Sequence, residues 1–146
     1  MSREGYCVMS ATQGNPDPRD EVLGWFRQLE RCVRAVDYAG ARPIFAEEAV
    51  GFGTYGAMLD GLEALVAGQC QNIWPNIQGF TFDTETLRYG ANGALLWAIC
   101  RWDSVGKAPD GSEFDRPGRA TVILERRDGQ LKALHTHFSL VPRPTS

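Results

Sequence analysis

Val22, Phe26, Leu29, Val33 and Val36 recur at alternating intervals of four and three residues, the pattern of a helix with one apolar face. Asp17-Pro18 supplies its start, with an acceptor at the cap and proline at the first helical position, and Gly40 its stop. After Pro43, the stretch ARPIFAEEA predicts a short second helix, and VGFGTYG a glycine-broken strand or bend. Asp60 and Glu63 stand at capping-box spacing before LEALVAGQCQNIW, a third helix ended by Pro75.

Beyond Pro75 the period changes. QGFTFDTETLRY, ALLWAICRWDS, EFDRPGRATVILER and QLKALHTHFSLV all read as strands, and Asn92-Gly93, Asp110-Gly111 and Asp128-Gly129 fall between them as turn signals. Helices first and a meander of long strands after predicts an α+β fold, with three N-terminal helices packed on a curved antiparallel sheet. The expected organisation is a flexible leader over 1–16, one domain over 17–142 and a short tail over 143–146.

The last hairpin admits two registers. A two-residue Asp128-Gly129 turn puts Val122 opposite His135 and Ala120 opposite His137, which mixes apolar and polar residues on one face. A three-residue Arg127-Asp128-Gly129 loop with Gly129 left-handed puts Val122 opposite Leu134, Ala120 opposite Thr136, Thr121 opposite His135 and Arg119 opposite His137. The second register separates the faces better and is the one expected. It turns Val122, Leu124, Leu134, Phe138 and Leu140 toward the helices and sets Arg119, Thr121, His135 and His137 on the far side.

Composition narrows the function classes. The 146 residues carry a net charge of −3, and the basic residues are scattered, so no nucleic-acid or anionic membrane surface is indicated. No apolar run approaches the ~20 residues that span a bilayer. The first twenty residues lack the apolar stretch of a signal peptide, which predicts a cytoplasmic protein. Cys7, Cys32, Cys70 and Cys100 are widely spaced without a C-x-x-C, which predicts free thiols rather than disulfides or structural zinc. His135 and His137, the only histidines, have the His-x-His spacing of many metal sites, but nothing marks a third ligand. The expectation is an interfacial or hydrogen-bonded pair, with no metal and no cofactor.

From about Val22 to Pro142 the chain resembles the SnoaL-like branch of the nuclear transport factor 2-like superfamily, through AGARPIFAEEAVGFGTYG, MLDGLEAL and above all GRATVILERRDGQLKALHTHFSLVP. The last segment also resembles the association domain of calcium/calmodulin-dependent protein kinase, with its Arg-Arg-Asp-Gly turn and His-x-His. The resemblance implies a cone: a bent sheet wrapped around helices, a deep cavity open at one end, and homodimers or rings formed through the outer sheet face. It therefore implies that Arg119, His135 and His137 belong to an interface.

Departures from the family narrow the activity. Gly53 stands where ketosteroid-isomerising members carry a catalytic aspartate, Val122 stands near their second acidic residue, and no tyrosine precedes Tyr38 in the first helix. Of the kinase association domain's three pocket arginines only Arg101 matches, since the other two positions align with Val122 and Phe138. This implies a ligand less anionic than one clamped by three arginines.

Trp97, Ile99, Arg101 and Asp103 alternate along one strand and share a face. The opposite set, Leu96, Ala98, Cys100 and Trp102, is also apolar, so periodicity leaves the inward set open and the resemblance favours that of Arg101. The expected substrate-binding residues are Arg101, Trp97, Val122 and Phe138, and the expected catalytic groups are Asp103 and Tyr55. The functional expectation is a cavity that binds a small, largely apolar molecule, with cofactor-free acid–base chemistry of the isomerase, cyclase, dehydratase or hydrolase type. The alternative is a noncatalytic ligand-binding or oligomerising module.

Overall fold

A computed structural model describes residues 17–143; the expected leader and the last three residues of the tail lie outside the described residues. Helix α1 (Arg19–Ala35) starts behind Pro18, with Asp17 Oδ1 accepting from the Arg19 N–H at 2.9 Å. It buries Val22, Trp25, Phe26, Leu29, Cys32 and Val33, close to the expected apolar stripe. Gly40 does not stop it. Val36 adopts a left-handed conformation with φ 53°, and the N–H groups of Val36 and Asp37 close back on Val33 and Cys32. Gly40 instead lies in a short helix, α2 (Tyr38–Ala41), where the Asp37 side chain accepts from its N–H.

The expected second helix is a strand. Pro43 sits in a single 3₁₀ turn, Arg42–Ile44, and β1 (Phe45–Phe52) follows directly. FAEEA has good helix formers, but parallel pairing of β1 with the last strand overrides that local preference. The register slips between Phe45 and Val50, and Glu47-Glu48 fall in that irregularity, exposed to water. A two-residue β2 (Leu59–Asp60) pairs with β1. The third helix forms in pieces: α3 (Leu62–Leu65), a π turn over Val66–Cys70, α4 (Gln71–Ile73) and a 3₁₀ turn at Trp74–Asn76. Its start shows no side-chain cap, and Gly61 at φ 98° makes the turn into it. Glu63 instead takes a two-pronged ion pair from Arg42, at 2.6 and 2.9 Å.

The remaining strands are β3 (Ile77–Asn92), β4 (Leu95–Lys107), β5 (Glu113–Asp115), β6 (Gly118–Arg127) and β7 (Gln130–Leu140). The stretch EFDRPGRATVILER breaks at Arg116-Pro117, because proline cannot donate to the ladder. Sheet order is β2-β1-β7-β6-β4-β3, with β5 on β4. The architecture is α+β, and the sheet is mixed rather than wholly antiparallel, because β1 and β7 run parallel. Two irregularities in β3, at Gln78/Thr81 and Asp83/Arg88, bend the sheet around α1. There Phe26 meets Phe82 edge-on, with ring centroids 4.7 Å apart. The buried Glu30 carboxylate accepts from the Phe82 N–H at 2.8 Å.

The last hairpin takes the register not expected. Asp128 (φ 52°) and Gly129 (φ 78°) form a two-residue turn with Arg127 opposite Gln130. A bulge at Leu134 then shifts the ladder, so that Ile123 opposes His135, Val122 opposes Thr136, Thr121 opposes His137 and Ala120 opposes Phe138. The bulge reverses the parity of β7: Leu131 and Ala133 face inward before it, Thr136 and the half-buried Phe138 after it. Both histidines therefore lie on the outer face. Leu134, the bulged residue, leaves the expected inward set; Leu140 keeps the parity of Thr136 and Phe138 but stands exposed at the end of the strand.

Candidate ligand cavity

A narrow cleft lies between the helices and the concave side of the sheet; its envelope of about 490 Å³ includes open solvent, and the room inside for a water-sized occupant is about 40 Å³. Leu29 and Val33 of α1, Trp74, Phe80 of β3 and Phe138 of β7 supply most of its apolar wall. Four polar side chains interrupt that wall: Thr54, Gln69, Trp102 and Arg116.

Each polar group is positioned by local backbone. Arg116 sits at the corner between β5 and β6, where its N–H donates to the Ser104 carbonyl and its own carbonyl accepts from Ser104 Oγ, each at 2.8 Å. Its guanidinium donates to Thr54 Oγ1 at 2.6 Å and lies 5.5 Å from the centre of the Trp102 ring. Among the described residues no carboxylate stands within ion-pair distance of it. Burial pushes its pKa below the ordinary arginine value, and it remains a cation.

Gln69 lies in the π turn, an element that commonly marks functional sites. The residue is 8% exposed, and its Oε1 has no hydrogen-bond partner. Trp102 is 2% exposed, and its indole N–H is also unpartnered. Buried polar atoms are nearly always paired, so two unpartnered atoms on residues that line one cleft are unusual; Thr136 Oγ1, buried away from the cleft, is also unpartnered. Cys70, beside Gln69, has its thiol pushed up to about 12 by burial and is inert as a nucleophile at neutral pH. None of the lining side chains is Asp, Glu or His.

The SnoaL-like domain model matches residues 19–144, nearly the whole chain. The chain belongs to the SnoaL-like domain family. Solved structures with similar folds include a nuclear transport factor 2-like protein of unknown function from Pseudomonas putida KT2440, 25% identical with a TM-score of 0.64 over 82% of this chain and 84% of that one. A Xanthomonas campestris protein, provisionally named a calcium/calmodulin-dependent protein kinase II association domain, is 14% identical with a TM-score of 0.74 over 97% and 100%. A Streptomyces avermitilis protein of the same superfamily, provisionally named a dehydratase, is 12% identical with a TM-score of 0.72 over 86% and 97%.

Within this SnoaL-like domain the expected site residues scatter. Trp97, Arg101 and Asp103 lie on the outer face of β4, exposed, because Leu96, Ala98, Cys100 and Trp102 take the inner side. Arg101 and Asp103 form no ion pair. Tyr55 is 78% exposed in the bend after β1. Val122 faces inward but is fully buried in the core and does not line the cavity, whereas Phe138 does. Arg119, His135 and His137 are on the outer face. There His135 Nδ1–H donates to the Val50 carbonyl at 2.7 Å, and Phe52 lies edge-on to both imidazoles, 4.8 and 5.2 Å away.

At Gly53, where the resemblance aligns the isomerases' aspartate, a Cβ would lie 2.3 Å from Gln69 Oε1, so the carboxamide occupies that side chain's place. Two of the cavity's polar groups left a mark in the sequence. Gln69 is the polar exception in the helical stripe Leu62, Leu65, Val66, Gln69, Cys70, Ile73, and Arg116 precedes the proline that breaks a strand pattern.

Proposed function

We propose that this SnoaL-like domain binds a small, largely apolar molecule in the cavity under α1, as a binding module rather than an acid–base catalyst. The observation that carries this reading is the pair of unpartnered buried groups, Gln69 Oε1 and Trp102 Nε1, on residues of a largely apolar cleft wall. Such groups cost about 1–3 kcal/mol each while unpaired, and a ligand that pairs them recovers that cost on binding. Catalysis through Asp103 or Tyr55 has no geometric support, since both are turned away from the cavity.

Titration of the ¹⁵N-labelled protein with small aromatic molecules tests this. Binding shifts the Trp102 indole N–H resonance and leaves that of the outward Trp97 in place; a Trp102 signal unmoved by every compound overturns the reading. Turnover of a ketone, lactone or epoxide that is lost on substituting a cavity residue overturns the noncatalytic part.

A second observation favours a homodimer through the outer sheet face. Leu95, Trp97, Ile99 and Ile123 stand 39–48% exposed on adjacent strands, with Trp97 directly opposite Ile123 and Ile123 opposite His135. An apolar band of this kind, rimmed by Arg101, Arg119 and His137, has the composition of a subunit interface.

A further inference from the structure

The cavity's four polar groups define the ligand more narrowly. We infer that it is a monocarboxylate with an aromatic body and a hydrogen-bond-donating substituent, such as a hydroxyl, away from the carboxylate; this rests on the cavity reading above. Arg116 is a half-buried cation with a neutral hydroxyl and an indole face for company, and no carboxylate among the described residues compensates it. A desolvated charge without a counter-charge is costly, and a planar carboxylate matches the guanidinium fork. One cation suits one negative charge, which disfavours a phosphate dianion.

The Trp102 indole N–H has no acceptor and can serve only as a donor, so it adds a second hydrogen bond to a ligand oxygen. Gln69 Oε1 needs the reverse, a ligand O–H or N–H. Trp74, Phe80 and Phe138 present the faces and edges on which an aromatic body packs. The two orphan atoms are sealed from solvent, so entry of a ligand requires the Gln69 or Trp102 side chain to shift.

Three probes separate these contributions: 4-hydroxyphenylacetate, phenylacetate, which lacks the hydroxyl, and p-cresol, which lacks the carboxylate. Affinities come from the Trp102 indole resonance and from calorimetry. The full probe is expected to bind about tenfold or more tighter than p-cresol. Arg116→Met should bring that ratio close to one, and Arg116→Lys, which keeps the charge without the fork, should restore part of it. Gln69→Leu should remove the advantage of 4-hydroxyphenylacetate over phenylacetate and leave the carboxylate preference intact. Equal wild-type affinity for p-cresol and 4-hydroxyphenylacetate, which needs no variant to fold, overturns the inference and leaves the cavity reading standing. So does a ratio unaffected by Arg116→Met. If none of the three probes moves the Trp102 resonance, the inference falls, and failure of uncharged aromatics as well brings down the cavity reading with it.

Discussion

Gly118 and Trp102 are cross-strand partners, and the indole fills the space where a side chain at 118 would stand: a Cβ there would lie 2.1 Å from Trp102 Cζ2 and 2.5 Å from the Ser139 carbonyl oxygen. Neither neighbour yields easily, since one is a buried ring and the other is backbone. Gly118→Ala should cost about 1–3 kcal/mol in urea unfolding and displace the Trp102 indole resonance. Unchanged stability together with an unchanged resonance would show that the ring does not lie over Gly118.

Glu30 joins α1 to the curved part of the sheet. Its Oε1 accepts from the Phe82 N–H, and Arg27 and Arg34 flank it at 3.6 and 3.9 Å. Glu30→Ala leaves a buried backbone donor open and should destabilise by about 1–3 kcal/mol, whereas Glu30→Gln keeps an acceptor and should cost clearly less. Chemical denaturation of the two variants side by side reads the difference, and equal losses would refute the hydrogen-bond account.

Glu21 ties α1 to the end of β6 through Arg126, at 2.7 and 3.1 Å. The hydrogen bond from Arg126 is the main reason its carboxyl is held below the ordinary value of 4.5. Because the folded-state value is the lower one, the pair stabilises fully above pH 4.5, and its contribution fades as pH falls through the folded pKa. Both side chains are about one-third exposed, so the effect is within about 1 kcal/mol. Wild type and Glu21→Gln should differ in urea midpoint near neutral pH and converge in acid; a gap that persists at about pH 2 contradicts the linkage.

The outer sheet face tests the dimer. Trp97→Glu places a charge in the middle of the exposed band and should shift sedimentation toward monomer, while His137→Ala should loosen the association less. A wild-type protein that sediments as a monomer at high concentration removes this reading.

Cys32, Cys70 and Cys100 are buried with raised thiol pKa values, chiefly through desolvation. In a Cys7→Ser background a thiol-specific chromogenic reagent should stay nearly silent at pH 8 until denaturant is added. At a pKa of about 12, the Cys70 thiolate fraction is then only about one in ten thousand. Rapid stoichiometric labelling of the native variant would place one of these thiols at the surface.

Much of the architecture was legible in the pattern. The stripe from Val22 to Val33 fixes α1, and the change of period after Pro75 marks the long strands. What escaped was decided by pairing and parity. FAEEA has helical residues but completes a parallel ladder. The two faces of β4 are equally apolar, so alternation shows that Trp97, Arg101 and Asp103 share a side without saying which side it is. In β7 a straight two-residue turn mixes polar and apolar positions, and only the bulge at Leu134, which no turn residue announces, restores the separation. The expected register also turns the histidines outward, because both ladders leave Thr136 and Phe138 on the core side. The cavity's cation is hidden in the sequence for the same reason as the face of β4: Arg101 and Arg116 look alike in sequence, and only the corner at Pro117 brings one of them inside.

The widened turn at Val66–Cys70 has a consequence for how this pocket arises and is lost. A π turn holds one more residue than the regular coil around it, so deleting a single amino acid there would rewind the segment and swing the Gln69 carboxamide roughly 100° about the axis, off the pocket wall. Relatives with and without that one residue would share every strand yet differ in how Val66, Gln69 and Cys70 meet the core and the pocket wall. On the proposed reading of the cavity, a one-codon length difference here is the mark to look for when sorting its kin by what they hold.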